Sequence, residues 1–191
     1  MVFDGIFISL LVGFLRKGNL KGLADLRLKG GIIFPLLLLI EVLVFNFQNK
    51  FMVVKNFSNF IYIFIYIIGL LFLYMNRKQS GFSLIFIGVL LNFIVIVTNG
   101  GRMPVSLEAA SILDPMYTEV LKEGVYAKHQ ALTASTHFAF LGDIIPITKP
   151  YPKTQVVSIG DIVMNIGIFI FIQRLMIPKK QLSSLKGGET T

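Results

Sequence analysis

The stretch Phe60–Met75 reads FIYIFIYIIGLLFLYM, sixteen residues without a single charge. Such a run is too long for an ordinary buried strand and too apolar all round for a surface helix. A helix that crosses a bilayer needs ~20 apolar residues, with a range of about 17–25. Three further stretches come close to that length, Gly31–Phe47, Phe82–Thr98 and Val156–Ile177. A fifth, Val2–Leu15, is shorter and carries Asp4, so it spans only with help from a neighbour or a thinned bilayer edge. It lacks a basic leader and an A-x-A-like cleavage site, and is not read as a cleavable signal peptide.

Composition agrees with this reading. Of 191 residues 54% are hydrophobic and only 15% are charged, a balance that does not suit a soluble domain. With no Cys, disulfides and thiolate metal sites are excluded. The net charge of +8 is not interleaved with aromatics in the manner of a nucleic-acid surface, and no nucleic-acid partner is expected. The positive charge is instead a topology signal. Arg16, Lys17, Lys21, Arg27 and Lys29 follow the first segment, Arg77 and Lys78 separate the third from the fourth, and Arg174, Lys179, Lys180 and Lys186 lie at the end. These eleven of the eighteen basic residues fall on one side if all five segments cross.

The sequence therefore predicts an all-α membrane protein with about five transmembrane helices. Residues 1–98 form four spans, 99–155 a helical extracytoplasmic cap, 156–178 the last span and 179–191 a disordered cytoplasmic tail. The N-terminus lies outside and the C-terminus in the cytoplasm. Within the cap, Val105–Lys128 is expected to hold one or two short helices, with Asp114-Pro115 opening the second. Ala127–Leu141 reads as an amphipathic helix, and Pro146–Pro152 as a loop.

Two Gly-Asp words lie among aliphatics eighteen residues apart, Leu141-Gly-Asp143-Ile-Ile and Ile159-Gly-Asp161-Ile-Val. A carboxylate in apolar surroundings is costly unless partnered or employed. Asp161 has a plain reading, with Ser158 capping a helix and Asp161 in its first turn. Asp143 reads equally well as an interfacial turn. Together they offer another reading, two carboxylates sharing a proton to activate water, a cation site, or a salt bridge to Arg102. The run Asn99-Gly100-Gly101-Arg102-Met-Pro-Val leaves a span at the same surface. It is either a helix-ending turn or a nest of N–H groups with Arg102 as a fixed cation for an anionic group. His129 and His137 are two turns apart on a helix and would need a third ligand, Asp143 or Asp161, to hold a metal. No metal or other cofactor is expected. Glu41 stands inside a span, where Asn46, Asn92 or Asn165 could meet it.

Asn99-Gly-Gly-Arg-Met-Pro-Val, the His-containing segment and the two Gly-Asp words together resemble an uncharacterised bacterial integral membrane family, a domain of unknown function. The resemblance covers most of the chain and implies a bacterial inner-membrane location. The last third is also similar, by analogy, to bacterial lipoprotein signal peptidases. Leu141-Gly-Asp143 resembles the stretch around their first catalytic aspartate. Ser158-Ile-Gly-Asp161 resembles the second, with Ser158 where that family has Asn. That similarity implies a membrane-embedded aspartic hydrolase with Asp143 and Asp161 catalytic. The leading expectation is a membrane protein with an outer-face polar site for a ligand, ion, peptide, lipid or protein partner. That site would be formed by Asn99, Gly100, Gly101, Arg102, His129 and His137 with the two aspartates.

Overall fold

A computed structural model describes residues 2–48, 50–113, 115–124 and 128–177. The protein is mostly helical. Among the described residues the apolar segments become α1 (Val2–Leu15), α3 (Ile33–Phe47), α4 (Met52–Met75), α5 (Phe82–Thr98) and α8 (Ile159–Met176), with a single turn α2 (Lys21–Ala24) after α1. α4 and α8 are long and apolar enough to cross a membrane, and α1, α3 and α5 are shorter apolar helices. Their outward faces carry Phe7, Phe34, Phe60 and Phe64 at more than half exposure. Exposed apolar side chains in such number mark a surface that meets another apolar phase or partner.

α5 and α8 form the centre. They run antiparallel with glycine facing glycine. A Cβ on Gly88 would stand 2.5 Å from the Gly160 carbonyl, and one on Gly160 would stand 2.7 Å from the Gly88 carbonyl. Two turns away, Gly167 faces the Gly81 carbonyl and the Ile85 N–H in the same way. Small residues let two backbones approach, which is how helices gain dispersion energy where no hydrophobic drive separates them from lipid. α1 lies parallel to α8, with Gly5 against Asn165 and Gly13 against Met176. α4 packs on the far side of α5, and α3 packs on α4.

Hydrogen bonds bring the basic connections to one end. Asn76, at the end of α4, both donates to the Lys29 carbonyl at 2.9 Å and accepts from its N–H at 2.8 Å. Asn19 N–H bonds to the Met176 carbonyl, and Arg16 donates to Gln173 at 3.0 Å. Thus the segments holding Arg16–Lys29, Arg77–Lys78 and Arg174 share one end of the bundle. The segment between α5 and α8 lies at the other.

That segment departs from the expected helical cap. α6 (Leu107–Ser111) and α7 (Pro115–Lys122) are the two short helices anticipated, and α7 begins at Pro115. Asp114 lies outside the described residues, as does the tail anticipated at 179–191. Four short strands accompany them. β1 (Met103–Val105) pairs in parallel with β2 (His129–Ala131), and β3 (Ile145–Ile147) pairs antiparallel with β4 (Gln155–Val157). The amphipathic helix expected over Ala127–Leu141 is therefore replaced by β2, a turn-rich stretch and a 3₁₀ turn at Ala139–Leu141. Thr133 accounts for part of this, since its N–H is taken by the Thr136 hydroxyl at 2.9 Å rather than by a helical carbonyl. The loop expected over Pro146–Pro152 gives up its first two residues to β3. Val156 and Val157 belong to β4, so α8 starts later than the apolar run does. α4 starts eight residues before Phe60, because helix continues through Lys55, Asn56, Ser58 and Asn59, which a hydropathy reading discards.

Candidate functional site

Ser158, Asp161 and Asn92 close a small polar ring at the start of α8. Ser158 Oγ accepts the Asp161 N–H at 2.9 Å, and Asp161 Oδ2 accepts the Ser158 N–H at 3.2 Å, a reciprocal capping box. Asn92, projecting from α5, donates to Asp161 Oδ1 at 2.9 Å and accepts from Ser158 Oγ at 2.8 Å. Each carboxylate oxygen thus has a donor. Two backbone groups, two helices and three side chains are satisfied at once. The absence of a Cβ at Gly160 makes room for Asn92, whose side-chain oxygen would collide with one.

Asp143 is different. Its backbone is built into the sheet, donating to the Pro104 carbonyl at 2.9 Å and accepting from Ser106 N–H at 2.9 Å, so that it lies beside β1 opposite β2. Its side chain is buried. Oδ2 faces His129 Nε2 at 3.7 Å, beyond hydrogen-bond range. Oδ1 is buried without a hydrogen-bond partner among the described residues. Burial raises the Asp143 pKa well above the usual carboxylate value; the Asp161 charge raises it further and Lys128 opposes. Burial, seconded by Lys128, lowers His129 to about 3. The pair is therefore a carboxyl inclined to keep its proton beside an imidazole inclined to stay neutral, and not an ion pair. Asp161 is near enough to act on Asp143 by charge, yet among the described residues no hydrogen bond joins the two carboxyls.

The Asn99–Arg102 run combines a helix stop with a clamp. Gly100 and Gly101 take φ of +71° and +86°, the left-handed region, and Gly101 N–H returns to the Ile96 carbonyl at 2.9 Å. That N–H therefore closes the helix end. The Asn99 side chain holds the His137 backbone, accepting from its N–H at 2.9 Å and donating to its carbonyl at 2.8 Å. Gln130 donates to the Asn99 carbonyl at 3.1 Å, tying β2 to the same corner. Arg102 Nε donates to Asn59 Oδ1 at 3.2 Å and a terminal nitrogen donates to the Gly124 carbonyl at 2.9 Å. Among the described residues no carboxylate lies in ion-pair range of Arg102, so the expected bridge to either aspartate is replaced by a strap from α4 to the residues after α7. His137 is exposed in a turn and His129 is on β2, so the helical two-turn spacing assumed for them does not exist. Among the described residues no three of His, Asp and Glu converge as a metal-binding set.

Glu41 has a partner, but none of the three asparagines expected. Lys128 Nζ stands 2.7 Å from its Oε1, both side chains part-exposed. Asn46 instead bonds to the Val42 carbonyl, Asn92 to Asp161, and Asn165 to the Asp161 carbonyl. Lys128 and Asn59 are the residues sequence reasoning missed. Lys128 gave no signal, because its partner is 87 positions away. Asn92 is visible in the sequence as a polar residue inside an apolar run, where it is one of three possible partners of Glu41; its actual acid is Asp161.

The family described as "Family of unknown function (DUF5317)" matches residues 25–173. The chain belongs to this family. The matched region includes Glu41, the Asn99–Arg102 turn, both histidines and both aspartates, so the whole polar corner lies within what DUF5317 delimits. An uncharacterized protein of Thermotoga maritima is 32% identical over 171 residues, covering 90% of this chain and 89% of that one. No solved structure matches.

Proposed function

We propose that this DUF5317 chain is a five-span bacterial inner-membrane protein whose residues 99–155 form an extracytoplasmic cap, and that the cap binds a small polar ligand or a cation at Asp143. Convergence of the basic connections on one end of the bundle supports the orientation, N-terminus outside and C-terminus in the cytoplasm. α1, α3 and α5 become spans by packing against the two longer helices. The observation that carries the binding reading is Asp143 Oδ1, a buried carboxyl oxygen without a partner among the described residues. Buried polar groups are satisfied as a rule, and one that is not points to an occupant. An incoming N–H, O–H or cation would supply what Oδ1 lacks, and ionisation of Asp143 on cation binding would release one proton.

The signal-peptidase-like reading asks more of Asp161. A shared-proton pair needs both carboxyls facing one water, whereas both Asp161 oxygens are engaged by Asn92 and Ser158. Asp143's response to the Asp161 charge is its supporting observation.

Two measurements test the proposal. Reporter fusions after Asn19, Gln79 and Lys186 are expected to report cytoplasm, and one after Lys122 the outside; a cytoplasmic signal at Lys122 overturns the topology. Thermal unfolding of purified protein with Na⁺, K⁺, Mg²⁺, Ca²⁺ and ethanolamine is expected to show at least one stabilising species whose effect disappears in Asp143→Asn. Identical responses of wild type and variant to all five overturn the binding seat. Accumulation of an uncleaved membrane substrate in both Asp143→Asn and Asp161→Asn cells would favour the hydrolase.

A further inference from the structure

At the end of the bundle away from Asp143, the connection before α3 and the connection after α4 enclose a cleft of about 310 Å³. Arg27, Lys29, Arg77 and Lys78 line it, with Asn76, Gln79 and Met75 completing the wall. No acid is among its lining residues, and among the described residues no carboxylate lies in ion-pair range of any of the four cations. Exposed positive charge alone would be a topology signal. Two features make this cleft more than that.

The first is rigidity. The buried Asn76 side chain fixes the Lys29 backbone by both its N–H and its carbonyl, and also bonds to the Phe72 carbonyl at 2.9 Å. Arg77 lies over the Tyr74 ring at 4.1 Å while donating to the Tyr74 carbonyl at 2.9 Å. The Lys29 backbone and the Arg77 guanidinium are thus fixed on facing walls, and the four like charges lie along one cleft. The second is the wall beneath. Leu71, Tyr74 and Met75 on α4, and Ile32 and Phe34 at the start of α3, are exposed apolar side chains that continue directly from the cationic rim. A concave cluster of cations standing above an apolar face matches an amphiphile with an anionic head and hydrocarbon tails.

We infer that this cleft is a binding site for the phosphodiester head of an anionic phospholipid, whose tails lie along α3 and α4. The guanidinium forks of Arg27 and Arg77 suit paired phosphate oxygens, and the lysines supply point charges. The inference rests on the apolar helices meeting lipid, but on no property of the Asp143 site.

The test uses the full chain, extracted and examined by native mass spectrometry against phosphatidylglycerol, cardiolipin and phosphatidylcholine, with inorganic phosphate as a soluble control. The anionic lipids are expected to remain bound where phosphatidylcholine is lost, and inorganic phosphate is expected not to displace them. Changing Arg27, Lys29, Arg77 and Lys78 to Gln should reduce retention by roughly fivefold per cation removed. A control changing Lys122, Lys149 and Lys153 to Gln should leave retention unchanged. Equal retention of neutral lipid, an undiminished quadruple variant, or displacement by inorganic phosphate overturns the site. Where the quadruple variant fails to fold, Lys78→Gln and Arg77→Gln singly carry the same comparison. Carbonate washing of membranes separates the two failures: release of the protein refutes the membrane reading, whereas a retained protein without lipid preference refutes only the cleft.

Discussion

The two Gly-Asp words are spelled alike and do opposite things. Asp161 sits in the first turn of α8 with a donor on each oxygen, the Ser158 N–H on one and the Asn92 amide on the other. Asp143 sits at the edge of a small sheet, its backbone fully used and its side chain buried with one oxygen unpartnered among the described residues. The glycines differ as well. Gly160 makes room for a side chain that reaches the neighbouring aspartate, whereas Gly142 lies against the Pro104 carbonyl and merely lets the chain after the 3₁₀ turn approach β1. A carboxylate at a helix start comes with waiting donors. One beside a strand does not, because strand N–H groups are directed at other strands.

The comparison can be broken most forcefully at Gly160. Gly160→Val places methyl groups where Asn92 and the Gly88 carbonyl stand, at the centre of the α5–α8 seam. The expected loss is about 3 kcal/mol or more, read as failure to recover folded protein in detergent; a fully stable variant would show that the seam is looser than drawn. The next effect is at Asp161. Asp161→Ala removes the carboxylate half of the capping box and strands the Asn92 amide and the Ser158 N–H, while Ser158 still caps the helix; the expected loss is about 2 kcal/mol. Asp161→Asn, which keeps an acceptor for one of them, should lose less. Equal losses would mean that charge, and not hydrogen bonding, holds the ring.

The smallest effect has the opposite sign. In unliganded protein, Asp143→Asn should stabilise at neutral pH. Because the folded pKa of Asp143 is raised, its contribution is fully present below the unfolded value near 3.8 and is lost as pH rises towards the folded value. His129 acts in reverse: its folded pKa is lowered to about 3, so its contribution is present above the unfolded value near 6.5 and is lost as pH falls through that window. Thermal midpoints followed from pH 4 to pH 8 should therefore fall less steeply with rising pH in Asp143→Asn than in wild type. Parallel curves would show that burial does not raise the Asp143 pKa.

The apolar elements were legible because lipid-length runs and helix breakers are local signals. α1 and α5 begin and end where their runs do. Ser158 and Asp161 were legible for the same reason, since a capping box lies within four consecutive residues. The rest depended on distant partners. Parallel pairing of Met103–Val105 with His129–Ala131 overrides the apolar spacing that suggested a helix over Ala127–Leu141. Asn99 reaches His137 and Arg102 reaches Asn59 across 38 and 43 positions, and nothing in either neighbourhood announces the other. The orphaned oxygen of Asp143 is a property of its surroundings, which a dipeptide does not encode.

The tie between Glu41 and Lys128 also sets a schedule. On the five-span reading, α3 enters the bilayer with a carboxylate whose cation lies 87 residues later in the chain. At ribosomal rates of about 5–20 residues per second that interval is on the order of ten seconds. During it Glu41 is without the cation that partners it in the folded protein. α3 packs chiefly on α4, so on the same reading it receives this latch only when the segment between α5 and α8 has been made and folded. On that reading, any delay in placing or folding that segment leaves α3 held by α4 alone.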